Sequence, residues 1–407
     1  MDVIVIGGGA AGMMAALTAA ENQDNRVVLV ERGPRLGRKL AVTGNGRCNL
    51  ANRELSPARY HGRQPAFVHP ALGAFGVEAT LAFFRGLGLV TVTEPSGRVY
   101  PHSDQAGSVV DVLRLALAGR GVTVLTDSPV TEAVRRDGCF SVTAAGRTLK
   151  ADRLIIACGG AAGTRAGGCM DGYRLLAAFG HSCTPLLPSL VQLKTDNAFT
   201  RPLKGVRAVA AVAVEQGGRV LARSRGEVQF TDYGVSGPAV FDIARAAVSA
   251  GSGAAVALDL LPQLDEAELL ALLAARKQAG LTAENLLTGI LHNKLGRTVV
   301  TSLGISLAAP VSELAEGQLA AVARRVKRTV LPVTGSLGME GAQVTAGGVS
   351  TAEFDENTMR SRLAPGLYAA GEVLDIDGDC GGYNLQWAWS SGRLAGRLLE
   401  RGTAAEQ

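Results

Sequence analysis

The chain opens on Asp2-Val3-Ile4-Val5-Ile6, an apolar β-branched run of the kind that fills a strand buried on both faces. A turn of glycine and alanine alone follows, Gly7 to Gly12, and then an Ala-rich stretch, Met13 to Asn22, that reads as a helix. Arg26 to Val30 is a second apolar strand, and it ends on Glu31. Strand, glycine turn, helix, strand and acid make a βαβ unit, whose crossover should be right-handed.

The pattern then changes several times. Residues 33 to 53 are rich in Gly, Arg and Asn and show no clear period, so they read as a long loop. Ala79, Leu81, Ala82, Phe83 and Leu87 predict a helix over 76–89, and Leu113 and Leu117 mark another. Strands are predicted at Val122 to Leu125, Phe140 to Ala144 and Leu154 to Ala157, the last running into Gly159-Gly160. Short β runs follow at Val206 to Val214, Arg219 to Ala222 and Glu227 to Thr231.

From Pro262 the period becomes helical. Asp265 to Glu268 forms a capping box that starts a helix through about Ala279. Leu286, Leu287, Ile290, Leu291 and Leu295 predict a second helix, and Val322, Val326 and Val330 a third. After Pro332 the glycine-rich β style returns, with Gly366 to Glu372 as a strand into a turn and Leu385 to Leu399 as a final helix. The reading is an α/β protein. A Rossmann-like domain is built from both chain ends, 1–187 and 333–407, with an inserted domain at 188–332 that is β-rich over 188–261 and helical over 262–332.

Composition narrows the class. Of 407 residues, 47% are hydrophobic and 19% charged, which excludes a disordered chain. Glycine counts 52, roughly double its usual share of about 7%, in clusters without a three-residue period. The net charge of +5 comes from 41 basic residues scattered among 36 acidic ones, and aromatics are only 4%. Neither a basic stripe nor a stacking surface for nucleic acid stands out, so no nucleic-acid partner is expected. Six cysteines occur without a CxxC or a repeated ligand spacing, so free thiols, no metal and a cytoplasmic setting are expected. No apolar run reaches the ~18 residues of a membrane span, and no charged leader precedes the first strand.

The first turn carries the clearest chemistry. In Gly7-x-Gly9-x-x-Gly12, Gly7 permits the tight turn, Gly9 lets a pyrophosphate approach, and Gly12 lets helix and strand pack, with Ala11 beside it. The helix amides then face the phosphates. Glu31, nineteen residues beyond Gly12, stands where a carboxylate accepts from a ribose hydroxyl, with Arg32 next to it. This fingerprint alone fits FAD or NAD. Cys158 to Gly163 lacks the first glycine, so a second nucleotide domain is not expected.

The stretch Gly37 to Leu50, GRKLAVTGNGRCNL, resembles the signature of the YhiN/BaiN-like flavoproteins, also called the aminoacetone-oxidase family of NAD(P)/FAD-dependent oxidoreductases. Gly226 to Pro238, Thr345 to Val349 and Gly366 to Gly392 resemble it too, so the likeness covers nearly the whole chain. Asn45 stands where many relatives have Gly. The resemblance implies FAD, a discontinuous FAD-binding domain with inserted parts over the flavin, and redox chemistry on a small organic substrate. Activities assigned in that family diverge between amine or amino ketone oxidation and reduction of steroid-like enones.

These stretches also have a direct chemical reading. Lys39, Thr43, Asn45, Gly46, Arg47, Cys48 and Asn49 place amides, a hydroxyl and cations in one loop able to hold the pyrophosphate or the flavin edge. Gly159, Gly160, Gly371 and Glu372 sit at strand ends, where Glu372 can accept from ribityl hydroxyls. Gly381, Gly382, Asn384 and Leu385 open the last helix, whose positive end suits an anionic reduced ring. His102 is the histidine chosen as acid/base group, and Tyr233 is placed in the substrate pocket. The expected function is an FAD-dependent oxidoreductase passing a hydride between flavin and an amine, amino ketone or enone. The single fingerprint leans toward oxidase-like turnover. The alternatives are an ene-reductase-like flavoprotein fed transiently by NAD(P)H, and an FAD-binding regulatory or RNA-modification-linked protein without turnover.

Overall fold

The computed structural model describes residues 1–400; the end of the expected last segment, 401–407, lies outside the described residues. The chain divides into two compact units, Met1–Leu187 with residues from Gln343 onward, and Pro188–Ala342.

The first unit is built on a five-stranded parallel sheet. Its strands are β1 (Asp2–Ile6), β2 (Arg26–Val30), β3 (Thr123–Leu125), β4 (Arg153–Ile156) and β5 (Leu367–Ala369), in the order β5-β4-β1-β2-β3. Register pairs Ile4 with Val28 on one side and with Leu154 on the other. The strands at the centre are largely apolar, and Ile4, Leu154 and Ile155 are fully buried. Helices α1 (Ala10–Ala19), α2 (Ala106–Gly119) and α3 (Tyr383–Gly396) belong to this unit, and α1 packs on both others. A three-stranded antiparallel sheet spans Val130–Arg136, Cys139–Ala144 and Arg147–Ala151.

Glycines set how closely α1 and α3 cross. A Cβ on Gly392 would stand 2.4 Å from the Ala11 carbonyl, and one on Gly396 would stand 2.4 Å from that of Ala15. Ala11 is thus a packing residue through its side chain and carbonyl. The two tryptophans of α3 are buried and anchor distant turns. Trp387 Nε1 donates to Gly371 O at 3.1 Å, and Trp389 Nε1 to Leu50 O at 3.0 Å. Each burial of this size is worth roughly 3–5 kcal/mol against truncation to alanine.

The second unit contains a closed barrel of six strands: Leu193–Thr195, Arg207–Gln216, Arg219–Phe230, Gly234–Ser236, Ala255–Asp259 and Thr329–Ser336. The helix Pro238–Ala250 packs against the two longest strands with Val240, Ile243 and Ala247. Three sequence expectations differ here. The two short runs after Arg219 are one strand, continuous to Phe230. The helix expected over 286–295 is a series of turns, because Gly289 is left-handed (φ +79°) and His292 caps a helix that starts only at Asn293. Val330 leaves the third helix, which stops at Lys327, and joins the barrel strand Thr329–Ser336. That strand carries the second boundary ten residues past Pro332, to Ala342.

Candidate functional site

The turn after β1 is dictated by backbone contact. Gly7 has φ +110°, and a Cβ there would stand 2.3 Å from Ala157 O. A Cβ on Gly12 would meet Gly7 O at 1.8 Å, so no side chain fits. Gly9 differs. Nothing lies within 4 Å of its Cβ direction, its φ of −83° suits any residue, and no side chain caps α1. Three uses of glycine therefore stand in one motif: turn, open approach and helix packing. The first-turn amides of α1 meet no acidic side chain of their own helix. That leaves a positive, open helix end of the type that receives a diphosphate.

Glu31 closes the other side of this turn. Gly8 N–H donates to its Oε2 at 2.8 Å and Gly33 N–H to its Oε1 at 2.7 Å. Each oxygen keeps a second lone pair for a ribose hydroxyl. A cavity opens beside it, walled by Val30, Val130 and Leu175 and edged by Arg32, Cys158 and Asp171. Arg32 and Asp171 pair across 3.4 Å. Cys169 also lines this space. Burial raises the thiol pKa of both Cys158 and Cys169. The sequence reading did not include Val130, Cys169 or Asp171, which carry no motif and reach Glu31 only through the fold.

Lys39 and Glu372 meet from opposite ends of the chain. Lys39 Nζ lies 2.7 Å from Glu372 Oε2, while Thr345 N–H donates to Oε1 at 2.9 Å. Gly160 makes room for this group, since a Cβ there would stand 2.3 Å from Glu372 Oε1. Thr345 Oγ1 accepts from Ala162 N–H, so the Thr345 to Val349 stretch fastens the turn after β4 to Glu372. Gly159 (φ +73°) is open in front of its Cβ direction.

The segment Leu40–Gly46 is two short 3-10 turns kinked at Thr43, Gly44 and Asn45, and Gly44, Asn45, Gly46 and Cys48 are left-handed, at φ between +57° and +85°. Asn45 takes this conformation more easily than most residues, which accommodates the departure from Gly. Its side chains mainly hold the loop. Thr43 Oγ1 donates to Leu40 O, and Asn49 bonds Ala51 O and Gly382 N. Arg47 is committed to Glu94 and Asp104 and covers the Tyr100 ring at 4.1 Å. Cys48 is buried, which pushes its thiol up to about 12. What the loop offers a cofactor is backbone, with open space before Gly46.

At α3, Gly382 is the N-cap in the left-handed region, where a Cβ would strike Ala51 at 2.6 Å. Asn384 Nδ2 donates to Gly378 O at 2.7 Å and its Oδ1 accepts from Gly378 N at 2.8 Å, so this amide clamps the preceding loop. Leu385 is half-buried in the first turn, and Gly381 (φ +133°) precedes the cap. The strand pair Tyr60–His61 with Asp377–Gly378 joins the same place. It brings His61 against Asp379, a contact the sequence reading missed because the partners are 318 residues apart.

The two residues chosen for catalysis belong to different units, His102 to the first and Tyr233 to the second. His102 is exposed in the turn after Arg98–Pro101, and among the described residues nothing orients its imidazole. Tyr233 is half-buried in the second unit, where its carbonyl accepts from Thr195 N–H.

FAD suits this donor set. The uncapped α1 terminus with open Gly9 would take the diphosphate, Glu31 a ribose, Lys39 and Glu372 the diphosphate and ribityl chain, and the α3 terminus the ring.

Comparison with known proteins identifies the family. The HI0933-like protein Rossmann domain matches residues 1–398. The chain is 40% identical over 399 residues, 97% of both chains, to a 3-dehydro-bile acid delta(4,6)-reductase of Clostridium scindens. It is 31% identical over 396 residues, 96% of both, to a ribosomal RNA dihydrouridine synthase of Escherichia coli. Among solved structures, 3-ketosteroid delta1-dehydrogenase from Sterolibacterium denitrificans shares the fold, with a TM-score of 0.51 at 15% identity over 97% of this chain and 98% of that one.

Proposed function

Because this chain belongs to the HI0933-like Rossmann-domain family and is an FAD-dependent oxidoreductase, we propose that it reduces a carbon–carbon double bond conjugated to a ketone, on a steroid-like substrate. The observation that carries this is 40% identity to the bile acid reductase across 97% of both chains. The enone side of the expected substrate range is thereby preferred to amines and amino ketones, which neither relative's name describes. The lean toward oxidase turnover gives way to the reductive direction for the same reason. NAD(P)H is the proposed electron donor, docking transiently without a nucleotide domain of its own.

When bound, FAD supplies the two-electron chemistry. The chain's own part is to bind and orient it. The α1 terminus neutralises the diphosphate, and Glu31 and Glu372 fix the sugar hydroxyls. The α3 terminus favours negative charge at the ring.

The test is anaerobic. FAD-loaded protein is reduced with NADPH or NADH, then mixed with a 3-keto-Δ4 steroid or with a uridine-containing RNA. Rapid return of the oxidised flavin band with the steroid supports the reading. Return with RNA alone would move the substrate class to uracil, whose 5,6-double bond is also conjugated to a carbonyl. No return with either would overturn it.

A further inference from the structure

We propose that His61, held by Asp379, is the proton donor of this reduction; the proposal rests on the reading of the protein as a reductase of conjugated carbonyls. The imidazole Nε2 lies 2.7 Å from Asp379 Oδ1. The His61 side chain is 36% exposed and that of Asp379 17%, so the carboxylate is sheltered while the ring reaches solvent. The pair is fixed from both sides. Residues Tyr60–His61 ladder onto Asp377–Gly378, Asp379 N–H donates to Arg59 O at 2.9 Å, and Asn384 clamps Gly378 to the start of α3. His61 therefore stands at the helix terminus that suits the flavin ring.

The other histidines of this unit lack one or another of these properties. Both nitrogens of His181 are used, by Glu353 and Ser361, and its side chain is fully buried. His102 has no orienting partner among the described residues, and His69 lies in the short helix His69–Ala74. With Nε2–H donated to Asp379, His61 keeps Nδ1 to carry the mobile proton.

The reduction adds a hydride at the carbon β to the carbonyl and a proton at the α carbon. Bound reduced flavin would supply the two electrons and the first hydrogen. The second is the Nδ1 proton of the His61 imidazolium, which is left neutral and is reprotonated from solvent. Asp379 faces it directly, Arg59 pairs with the same carboxylate at 3.3 Å, and Asp377 is its ladder partner. Asp375 accepts from the Arg63 amide two residues on, and the Tyr60 hydroxyl is turned away to Tyr383 O.

The test is His61→Gln in the FAD-loaded protein. Steroid reduction should fall about 100-fold, the lower end of general acid catalysis. Flavin content and photochemical reduction of the flavin should be unchanged. Nitrogen NMR of the FAD-free protein gives a reading independent of turnover, with the Nε2–H tautomer expected for neutral His61. A His61→Gln enzyme with the wild-type rate would overturn the proposal, as would the opposite tautomer. Failure of the wild-type enzyme to reduce any enone would instead sink the functional reading.

Discussion

Lys39 and Glu372, 333 positions apart, form a 2.7 Å ion pair that is mostly shielded from solvent. It joins the loop after β2 to the turn after β5. Removing the cation leaves the Glu372 charge unneutralised, held only by Thr345 N–H, where an anionic diphosphate would approach. A charge-assisted hydrogen bond is worth about 1.5–3 kcal/mol. Lys39→Met should therefore weaken FAD binding by roughly 10- to 100-fold, measured by flavin fluorescence titration. Glu372→Gln should weaken it less, since its amide oxygen can still accept from Thr345 N–H.

The glycine fingerprint makes a sharper prediction, because its positions do different work. Gly9→Ala meets open space, so the unloaded protein should melt within about 2 °C of wild type, while FAD affinity drops at least tenfold. Gly12→Ala puts a Cβ 1.8 Å from Gly7 O and should destabilise the unloaded protein by several kcal/mol. Equal melting temperatures for the two variants would contradict this division of labour.

How much was legible in the sequence follows the same division. The β1–α1–β2 unit shows because its partners are local and its strands are almost entirely apolar. Arg47 and Asn384 look like ligand residues in sequence, yet their side chains are spent on Glu94, Asp104 and the Gly378 backbone. Only the folded chain shows which polar groups are already satisfied. His61 lies outside every motif, and its partner Asp379 is brought to it by a two-residue ladder too short to leave a strand pattern. The misplaced helix over 286–295 has a local cause. Its leucines keep helical spacing, but Gly289 turns left-handed between them.

His181 supplies a pH prediction. Burial lowers its pKa from the usual 6.5, outweighing the opposing effect of Glu353. The folded state then binds the proton less readily than the unfolded chain. This contribution is fully present above about pH 6.5 and is lost as pH falls through the range below it. The Glu353 carboxyl is also held below its usual 4.5: burial opposes the shift, but bonds from Ser182 and His181 prevail, so a second loss follows in more acid solution. Urea unfolding at pH 7.5 and 5.5 should show lower stability at 5.5. The difference should shrink in His181→Gln, and an unchanged difference would contradict the assignment.

Thiol chemistry reports on the cavity beside Glu31. Cys139 is exposed and should alkylate first at pH 8, while buried Cys48 and half-buried Cys158, whose thiols are pushed up by burial, should react last. FAD should slow labelling of Cys169, which lines that cavity. Mass spectrometry of iodoacetamide-treated protein with and without FAD checks both points.

The most direct measurement is a stopped-flow experiment on the FAD-loaded protein, reduced anaerobically and mixed with a 3-keto-Δ4 steroid. The account predicts reoxidation of the flavin in step with loss of the enone absorbance, at a rate that saturates with steroid. Protein that binds no FAD, or reduced flavin that only oxygen reoxidises, would contradict it.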